Sequence, residues 1–140
     1  MIDREKVTAI FRRMDGYMRQ LQLMAAAPPE QIIGDPVKFA ATEHFLQLCA
    51  ESCIGVANHI IAAQRLRAPQ DYADTFAVRV ENQIVPETML PRLQAIARFR
   101  NLVVHLYWEI DPKQVYAIMR NNLDDFQAFE DRVLEYLQSN

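Results

Sequence analysis

The chain has 140 residues, of which 51% are hydrophobic and 24% are charged, and only three are glycine. This composition is typical of one folded domain (residues 1–140) with its own core, and it excludes a disordered or low-complexity chain. The net charge of −3 excludes the broad basic face on which proteins hold nucleic acid through many phosphates, but it is compatible with a local site for one or two phosphates.

The sequence also argues against a membrane protein. No apolar run approaches the roughly 18 residues that cross a bilayer. Charged residues at positions 3–6 precede any apolar block, unlike the start of a signal peptide. We therefore expect a cytoplasmic protein.

The first predicted helix runs from about Asp3 to Ala26. Apolar residues recur within it at intervals of three and four, which indicates one buried stripe. The members of this stripe are Val7, Ile10, Phe11, Met14, Met18 and Leu21. Pro28 and Pro29 end the helix, and the segment up to Gly34 is predicted to be a connection.

The second predicted helix begins at Pro36, after Asp35 as its N-cap, and runs to about Leu66. It is apolar around much of its circumference, so it should be buried on more than one side. Glu51 and Asn58 are seven residues apart and share one face. We expect these two residues either to point to a functional site or to form hydrogen bonds with neighbouring helices.

Two cysteines, Cys49 and Cys53, share a face of the same helix. A zinc site would need four ligands at recognised spacings, and only His44 and His59 lie nearby. A disulfide is disfavoured in a reducing compartment. We predict two buried free thiols and no metal site.

A short third helix is predicted to start at Asp74 or Thr75 and to end at Val80 or Ile84, before Pro86.

The last two predicted helices follow. The fourth covers roughly Met89 to Glu109, with Pro91 in its first turn. Asp111 and Pro112 then start a fifth helix, from about Lys113 to Leu137. No alternating strand pattern competes, so the sequence predicts an all-α bundle of four long helices with a short extra helix.

The most informative segment is Arg-Asn-Leu-Val-Val-His-Leu-Tyr, from Arg100 to Tyr107. A guanidinium binds phosphate oxygens bidentately and keeps its charge, and an imidazole exchanges protons near neutral pH. Arg100 and His105 therefore carry the minimal chemistry for cutting RNA without a metal. The alternative is an ordinary helix whose arginine and histidine are capped or solvated.

If the helix continues through this segment, helical geometry determines which of these side chains share a face. Arg100 and Tyr107 would then lie almost in line, and Asn101 and His105 would share a neighbouring face. The remaining arc, which would make the core contact, consists of Leu102, Val103 and Leu106.

This spacing of Arg100, His105 and Tyr107 resembles the Arg-x4-His-x-Tyr signature of HepT-type toxins, which belong to the HEPN superfamily of small helical ribonucleases. Asn101 fits the polar residue that this superfamily has after the arginine. Two longer stretches are similar to the second and fourth helices of HepT proteins: Glu51–Ile61 and Phe99–Ile110. The likeness covers nearly the whole chain and implies a HEPN-like bundle.

The resemblance implies a homodimer, in which two motifs face each other across a two-fold axis and form a composite cleft. In that cleft His105 activates the ribose 2′-hydroxyl or protonates the leaving 5′-oxygen, and Arg100 stabilises the phosphate. Asn101 orients the imidazole or donates a hydrogen bond to the phosphate. The RNA product would end in a 2′,3′-cyclic phosphate, and neither a metal nor a cofactor is expected.

The resemblance also implies a partner. Family members of this type are encoded beside an MNT-type nucleotidyltransferase antitoxin that transfers AMP to the tyrosine of His-x-Tyr, here Tyr107. An added AMP would bring negative charge and bulk to the cleft. The alternative for Tyr107 is a core tyrosine with a satisfied hydroxyl group. Trp108 is predicted either to pack at the dimer interface or to stack on a base.

Two other function classes compete with the ribonuclease. A non-catalytic helical subunit that presents substrate to a nucleotidyltransferase suits the acidic charge balance, but it has no physical need for the set Arg100, Asn101, His105 and Tyr107. A metal-binding four-helix bundle would need Glu-x-x-His motifs on paired helices, and the sequence contains none.

Overall fold

Seven α-helices and two short 3-10 turns make up the part of the chain that the computed structural model describes, residues 1–139. The helices are α1 (Arg4–Ala25), α2 (Pro29–Ile33), α3 (Pro36–Ala63), α4 (Tyr72–Glu81), α5 (Leu90–His105), α6 (Pro112–Asn121) and α7 (Leu123–Ser139). The 3-10 turns cover Glu87–Met89 and Tyr107–Glu109. No strand occurs within this range, and the all-α prediction is confirmed.

Aspartate side chains cap three of the helices, and two of these caps, Asp35 and Asp111, were predicted from the sequence. The side chain of Asp3 accepts a hydrogen bond from the backbone N–H of Lys6, at 3.0 Å. Asp35 and Asp111 cap α3 and α6 in the same way, each followed by a proline at the first helical position. These contacts satisfy N–H groups that have no partner within the helix.

The start of α4 differs from the prediction. Its N-cap is Asp71, whose side chain accepts from the backbone N–H of Asp74 at 2.8 Å. Asp74 does not cap the helix, because its two carboxylate oxygens pair with the guanidinium of Arg67 at 2.7 and 2.8 Å.

Three other boundaries differ. The predicted connection before Gly34 contains the short helix α2. The predicted second helix ends at Ala63 instead of Leu66, because Arg65 adopts a left-handed conformation with φ of 55°. The predicted fifth helix is divided at Asn122, where the backbone leaves helical geometry between α6 and α7.

The core is built around α3, which packs against each of the other six α-helices. Cys49 and Cys53 are fully buried and free, as the sequence predicted, and the sulfur of Cys53 lies 3.7 Å from the sulfur of Met14. Residues of α3 can therefore contact both the core and the motif helix α5.

By length and composition α3 could cross a membrane, although it contains no uninterrupted apolar run of that length. Its most apolar 18-residue window has a mean hydropathy of 1.3. Half of that window is buried inside the fold, and the core helix of a soluble protein has the same properties.

Candidate functional site at the end of helix α5

Helix α5 ends at His105, in the middle of the motif. The backbone of Leu106 turns away from helical geometry (φ −131°, ψ 38°), although its N–H still donates to the carbonyl of Leu102 at 2.9 Å. Pro112 favours an extended conformation at Asp111 (ψ 116°), and the chain changes direction before α6 begins. The prediction of a continuous helix to Glu109 is therefore wrong.

The guanidinium of Arg100 points towards α3 and α4. Its Nε donates to Oε1 of Glu51 at 3.2 Å, and its Nη1 donates to Oδ1 of Asn101 at 3.3 Å. The Cζ atom lies 4.7 Å from the centre of the Tyr72 ring, within cation–π range. Because only 16% of the side chain is exposed, Arg100 is held in a defined position.

The two polar residues of α3 have different roles. Glu51 pairs with Arg100 and also accepts a hydrogen bond from Nε2 of Gln47 at 3.1 Å, so it lies at the candidate site. Asn58 instead accepts a hydrogen bond from the hydroxyl of Thr75 on α4 at 3.2 Å. Glu51 therefore fulfils the expectation of a residue at the candidate site, and Asn58 fulfils the expectation of a hydrogen bond to a neighbouring helix.

His105, Tyr107 and Trp108 are exposed at the end of α5. Two thirds (67%) of each of the Tyr107 and Trp108 side chains is accessible, and their rings contact each other edge to face at 5.3 Å. Tyr107 is therefore not a core tyrosine. Leu106 is also exposed, so its predicted core contact is wrong, whereas Leu102 and Val103 are half-buried.

Arg100 and His105, the two candidate catalytic residues, lie on different faces of α5. Arg100 and His105 are five positions apart on α5, about 140° around the helix axis. The guanidinium faces α3 and α4, whereas the imidazole faces solvent. Asn101 lies one helical turn from His105 and contacts Arg100, so it is the residue between them. Tyr107 is not in line with Arg100, because the helix has ended.

Two contacts of the site have no signal in the sequence. Tyr72 lies in a segment that was not predicted as helical, and Gln47 is one of several glutamines. Their place at the site is evident only in the folded protein, where α3, α4 and α5 pack together. Among residues 1–139, no three His, Cys, Asp or Glu side chains gather into a group that could hold a metal ion.

Comparison with known proteins decides the family. Residues 14–133 match the profile of the family described as "Ribonuclease HepT-like". The chain belongs to the HepT-like family. The resemblance drawn from the motif residues is thereby confirmed.

Two curated relatives of this HepT-like chain are nucleases. It is 35% identical over 86 residues to the mRNA nuclease HepT of Shewanella oneidensis, an alignment that covers 61% of this chain and 65% of the relative. It is 26% identical over 98 residues to the tRNA nuclease HepT of Aphanizomenon flos-aquae, covering 69% of this chain and 65% of the relative. The chain thus spans just under two thirds of the length of each.

A solved structure agrees over a longer range. The HepT-like chain superposes on a tri-AMPylated HEPN toxin of Shewanella oneidensis in complex with an MNT antitoxin, with a TM-score of 0.84 and 26% identity. The match covers 92% of this chain and 96% of that toxin. The fold of the HepT-like chain is therefore a HEPN fold.

Proposed function

We propose that this chain is the toxin of a HepT/MNT toxin–antitoxin pair and acts in the cytoplasm as a metal-independent endoribonuclease. One observation supports this proposal above all others. In a HepT-like fold, the motif places an anchored guanidinium (Arg100) and a solvent-facing imidazole (His105) at the same end of α5.

The proposed reaction is a transesterification. His105 takes the proton of a ribose 2′-hydroxyl, and the oxygen attacks the adjacent phosphorus. The bond from phosphorus to the 5′-oxygen breaks, and an imidazolium returns a proton to that oxygen. The products are a 2′,3′-cyclic phosphate and a 5′-hydroxyl end, so no water, metal or cofactor is consumed.

Arg100 would stabilise the negative charge that develops on the phosphate. Its Nε and Nη1 are occupied by Glu51 and Asn101, and its Nη2 donates to no group within residues 1–139. A phosphate oxygen could therefore be bound through Nη2 without breaking the contacts that hold the side chain. Asn101, which contacts Arg100 and neighbours His105, would orient the imidazole or donate to the phosphate.

The proposed active site is composite and lies in a homodimer. One chain offers one imidazole on a face remote from its guanidinium, whereas the reaction uses both a base and an acid. A two-fold axis near the ends of two α5 helices would bring two motifs into one cleft. Trp108, exposed beside the motif, would then lie at the dimer interface or contact a base.

We further propose that Tyr107 is the acceptor of AMP from an MNT-type nucleotidyltransferase. Its phenol oxygen would attack the α-phosphorus of a nucleoside triphosphate, losing its proton and releasing pyrophosphate. The exposure of Tyr107 and the AMPylated state of the related Shewanella toxin support this assignment. The O-AMP-tyrosine would place a phosphate next to the cleft and repel RNA.

A non-catalytic partner subunit of a nucleotidyltransferase is the second candidate. The ion pair between Arg100 and Glu51 favours it, because an arginine can form such a pair without having a catalytic role.

The test that separates these candidates is expression of the chain without its antitoxin. We expect growth arrest and loss of RNA integrity with the wild-type chain and with His44→Ala, which alters an exposed histidine of α3. His105→Ala should abolish both effects. The purified wild-type chain should cut RNA equally well with and without EDTA. Intact RNA in every case would favour the partner subunit, and cleavage that EDTA abolishes would contradict the metal-independent mechanism.

A further inference from the structure

A cavity of about 550 Å³ opens between α5, α6 and α7, and the proposed reaction does not use it. We name it the α5–α7 cavity. Its apolar wall includes Phe99, Leu102, Ile118 and Phe126. This volume lies within the range of about 300 to 1,000 Å³ that is typical of small-molecule sites.

The α5–α7 cavity borders the face of α5 that carries His105. Leu102, which lines the cavity, is three positions before His105, and Arg98, which also lines it, is seven positions before. Residues at these spacings share one side of a helix. At a rise of about 1.5 Å per residue, Leu102 lies about one helical turn from His105, so a base next to a phosphate bound at His105 would lie close to the cavity.

The rim of the cavity offers polar groups that are free to bind a ligand. The side-chain amides of Gln114 and Asn122 make no hydrogen bond within the described range 1–139. Arg98 is exposed and forms no ion pair there. A second cation, Arg92, is already paired with Asp125 at 3.1 Å.

We propose that the α5–α7 cavity binds one base of single-stranded RNA next to the scissile phosphate, a proposal that rests on the proposed ribonuclease function. Apolar and aromatic walls accept the face of a base, and Asn and Gln amides recognise its donor and acceptor edge. Arg98 at the mouth would bind the backbone phosphate of the same nucleotide. This rim is locally basic although the chain as a whole carries a net charge of −3.

The first test measures the base preference of cleavage. A pool of randomised RNA is cut with the purified chain, and the ends of the products are sequenced. We expect the wild-type chain to prefer particular bases at one position beside the cut. Asn122→Ala and Gln114→Ala should weaken this preference by about 5- to 100-fold, the usual range for a lost base contact. Asn121→Ala, which changes the exposed neighbour outside the cavity, should keep the wild-type pattern.

The second test blocks the cavity. Ala95 is exposed and lines it, so Ala95→Trp would fill it with an indole. We expect this variant to sediment like the wild-type chain and to cut RNA without base preference. A change in oligomeric state would show instead that a second copy of the chain occupies the cavity, and it would overturn the proposal.

The third test is independent of catalysis. The wild-type chain is titrated with AMP, GMP, CMP and UMP by calorimetry, with the Asn122→Ala variant for comparison. Binding that depends on Asn122, in a chain that cuts no RNA, would support the cavity as a base site while contradicting the proposed ribonuclease. RNA cleavage with a base preference that neither Asn122→Ala nor Ala95→Trp alters would overturn the base site and leave the ribonuclease standing.

Discussion

Arg100 and Glu51 form an ion pair across α5 and α3, with Nε of the arginine 3.2 Å from Oε1 of the glutamate. The same guanidinium lies over the ring of Tyr72 on α4. The cation of the motif is thus positioned by two helices that do not contain the motif. Glu51 and Tyr72 therefore position Arg100, a role that the residues next to them in the sequence do not indicate.

Removing Glu51 should therefore reduce RNA cleavage without abolishing it. We expect Glu51→Ala to lower kcat by about tenfold, since a hydrogen bond to a charged group typically contributes about 1.5 to 3 kcal/mol and this pair is partly exposed. Glu51→Gln keeps an acceptor oxygen and should lose less. Glu43→Ala, a change on α3 outside the site, is the matched control. Equal kcat in all four chains would show that the pair does not position a catalytic Arg100.

Dimerisation is expected to be required for activity. The wild-type chain should sediment as a dimer, and an inactive His105→Ala chain mixed into it should form heterodimers. If each cleft needs both imidazoles, an equal mixture after subunit exchange retains about a quarter of the activity of an all-wild-type sample of the same total concentration. Retention of about half would mean that each chain acts alone. A fully active monomer would contradict the composite site.

Tyr107→Phe should separate cleavage from its control. The phenol takes no part in the proposed proton transfers, so the variant should keep most of its activity, yet co-expression of the MNT-type partner should no longer add AMP. Intact-mass analysis measures the AMP increments directly. Tyr17→Phe, which alters a half-buried tyrosine stacked on Phe45, should be modified like the wild-type chain. Increments that persist in Tyr107→Phe would place the acceptor on another side chain.

A buried Glu130 on α7, next to a half-buried Asp15 on α1, should make stability depend on pH. Burial raises the pKa of Glu130 from its ordinary 4.5 to about 7, and the hydrogen bond and negative charge of Asp15 act in the same direction. Gln127 donates to Glu130 at 3.0 Å and opposes this rise. Oε1 of Glu130 and Oδ1 of Asp15 are buried without a donor among residues 1–139, so a proton on one carboxyl group supplies their missing hydrogen bond.

The sign of the effect follows from proton binding. Between pH 4.5 and about 7 the folded chain holds a proton at Glu130 that the unfolded chain has released. The free energy of unfolding therefore falls as pH rises through this window, by at most about 1.4 kcal/mol per pH unit. The full stabilising contribution of Glu130 is present below pH 4.5 and is lost above about pH 7.

Urea unfolding at pH 5 and pH 8 measures this loss. The Glu130→Gln side chain is neutral at both pH values. We therefore expect the free energy of unfolding to fall less from pH 5 to pH 8 in this variant than in the wild-type chain. Glu135→Gln removes an exposed carboxylate that pairs with Arg132, and it should behave like the wild-type chain. If Glu130→Gln and the wild-type chain show the same pH dependence, Glu130 is not the proton-binding group.

Local signals in the sequence predicted much of the fold. The aspartate–proline pairs at Asp35 and Asp111 mark the starts of α3 and α6, because capping and the fixed φ of proline depend only on neighbouring residues. The apolar stripe of the first helix corresponds to buried side chains of α1. The motif spacing and two longer stretches were sufficient to indicate the family.

What the sequence could not predict depends on the path of the chain in three dimensions. The end of α5 at His105 has no glycine or proline beside it, and it follows from the turn that brings α6 back against α1, α2 and α3. The contact from Arg100 to Glu51 joins residues 49 positions apart, and no local pattern encodes it. The α5–α7 cavity likewise exists only where three helices meet.

The early end of α5 determines when the proposed AMP addition to Tyr107 would be possible. A tyrosine inside a packed helix would have to be modified before folding or after local unwinding, but Tyr107 lies on a single exposed 3-10 turn beyond the helix. A modifying enzyme can therefore reach the phenol in the finished protein. If Tyr107 is the AMP acceptor as proposed, neutralisation would not be limited to newly made chains, and a cell would be able to silence copies of the protein that are already folded and active.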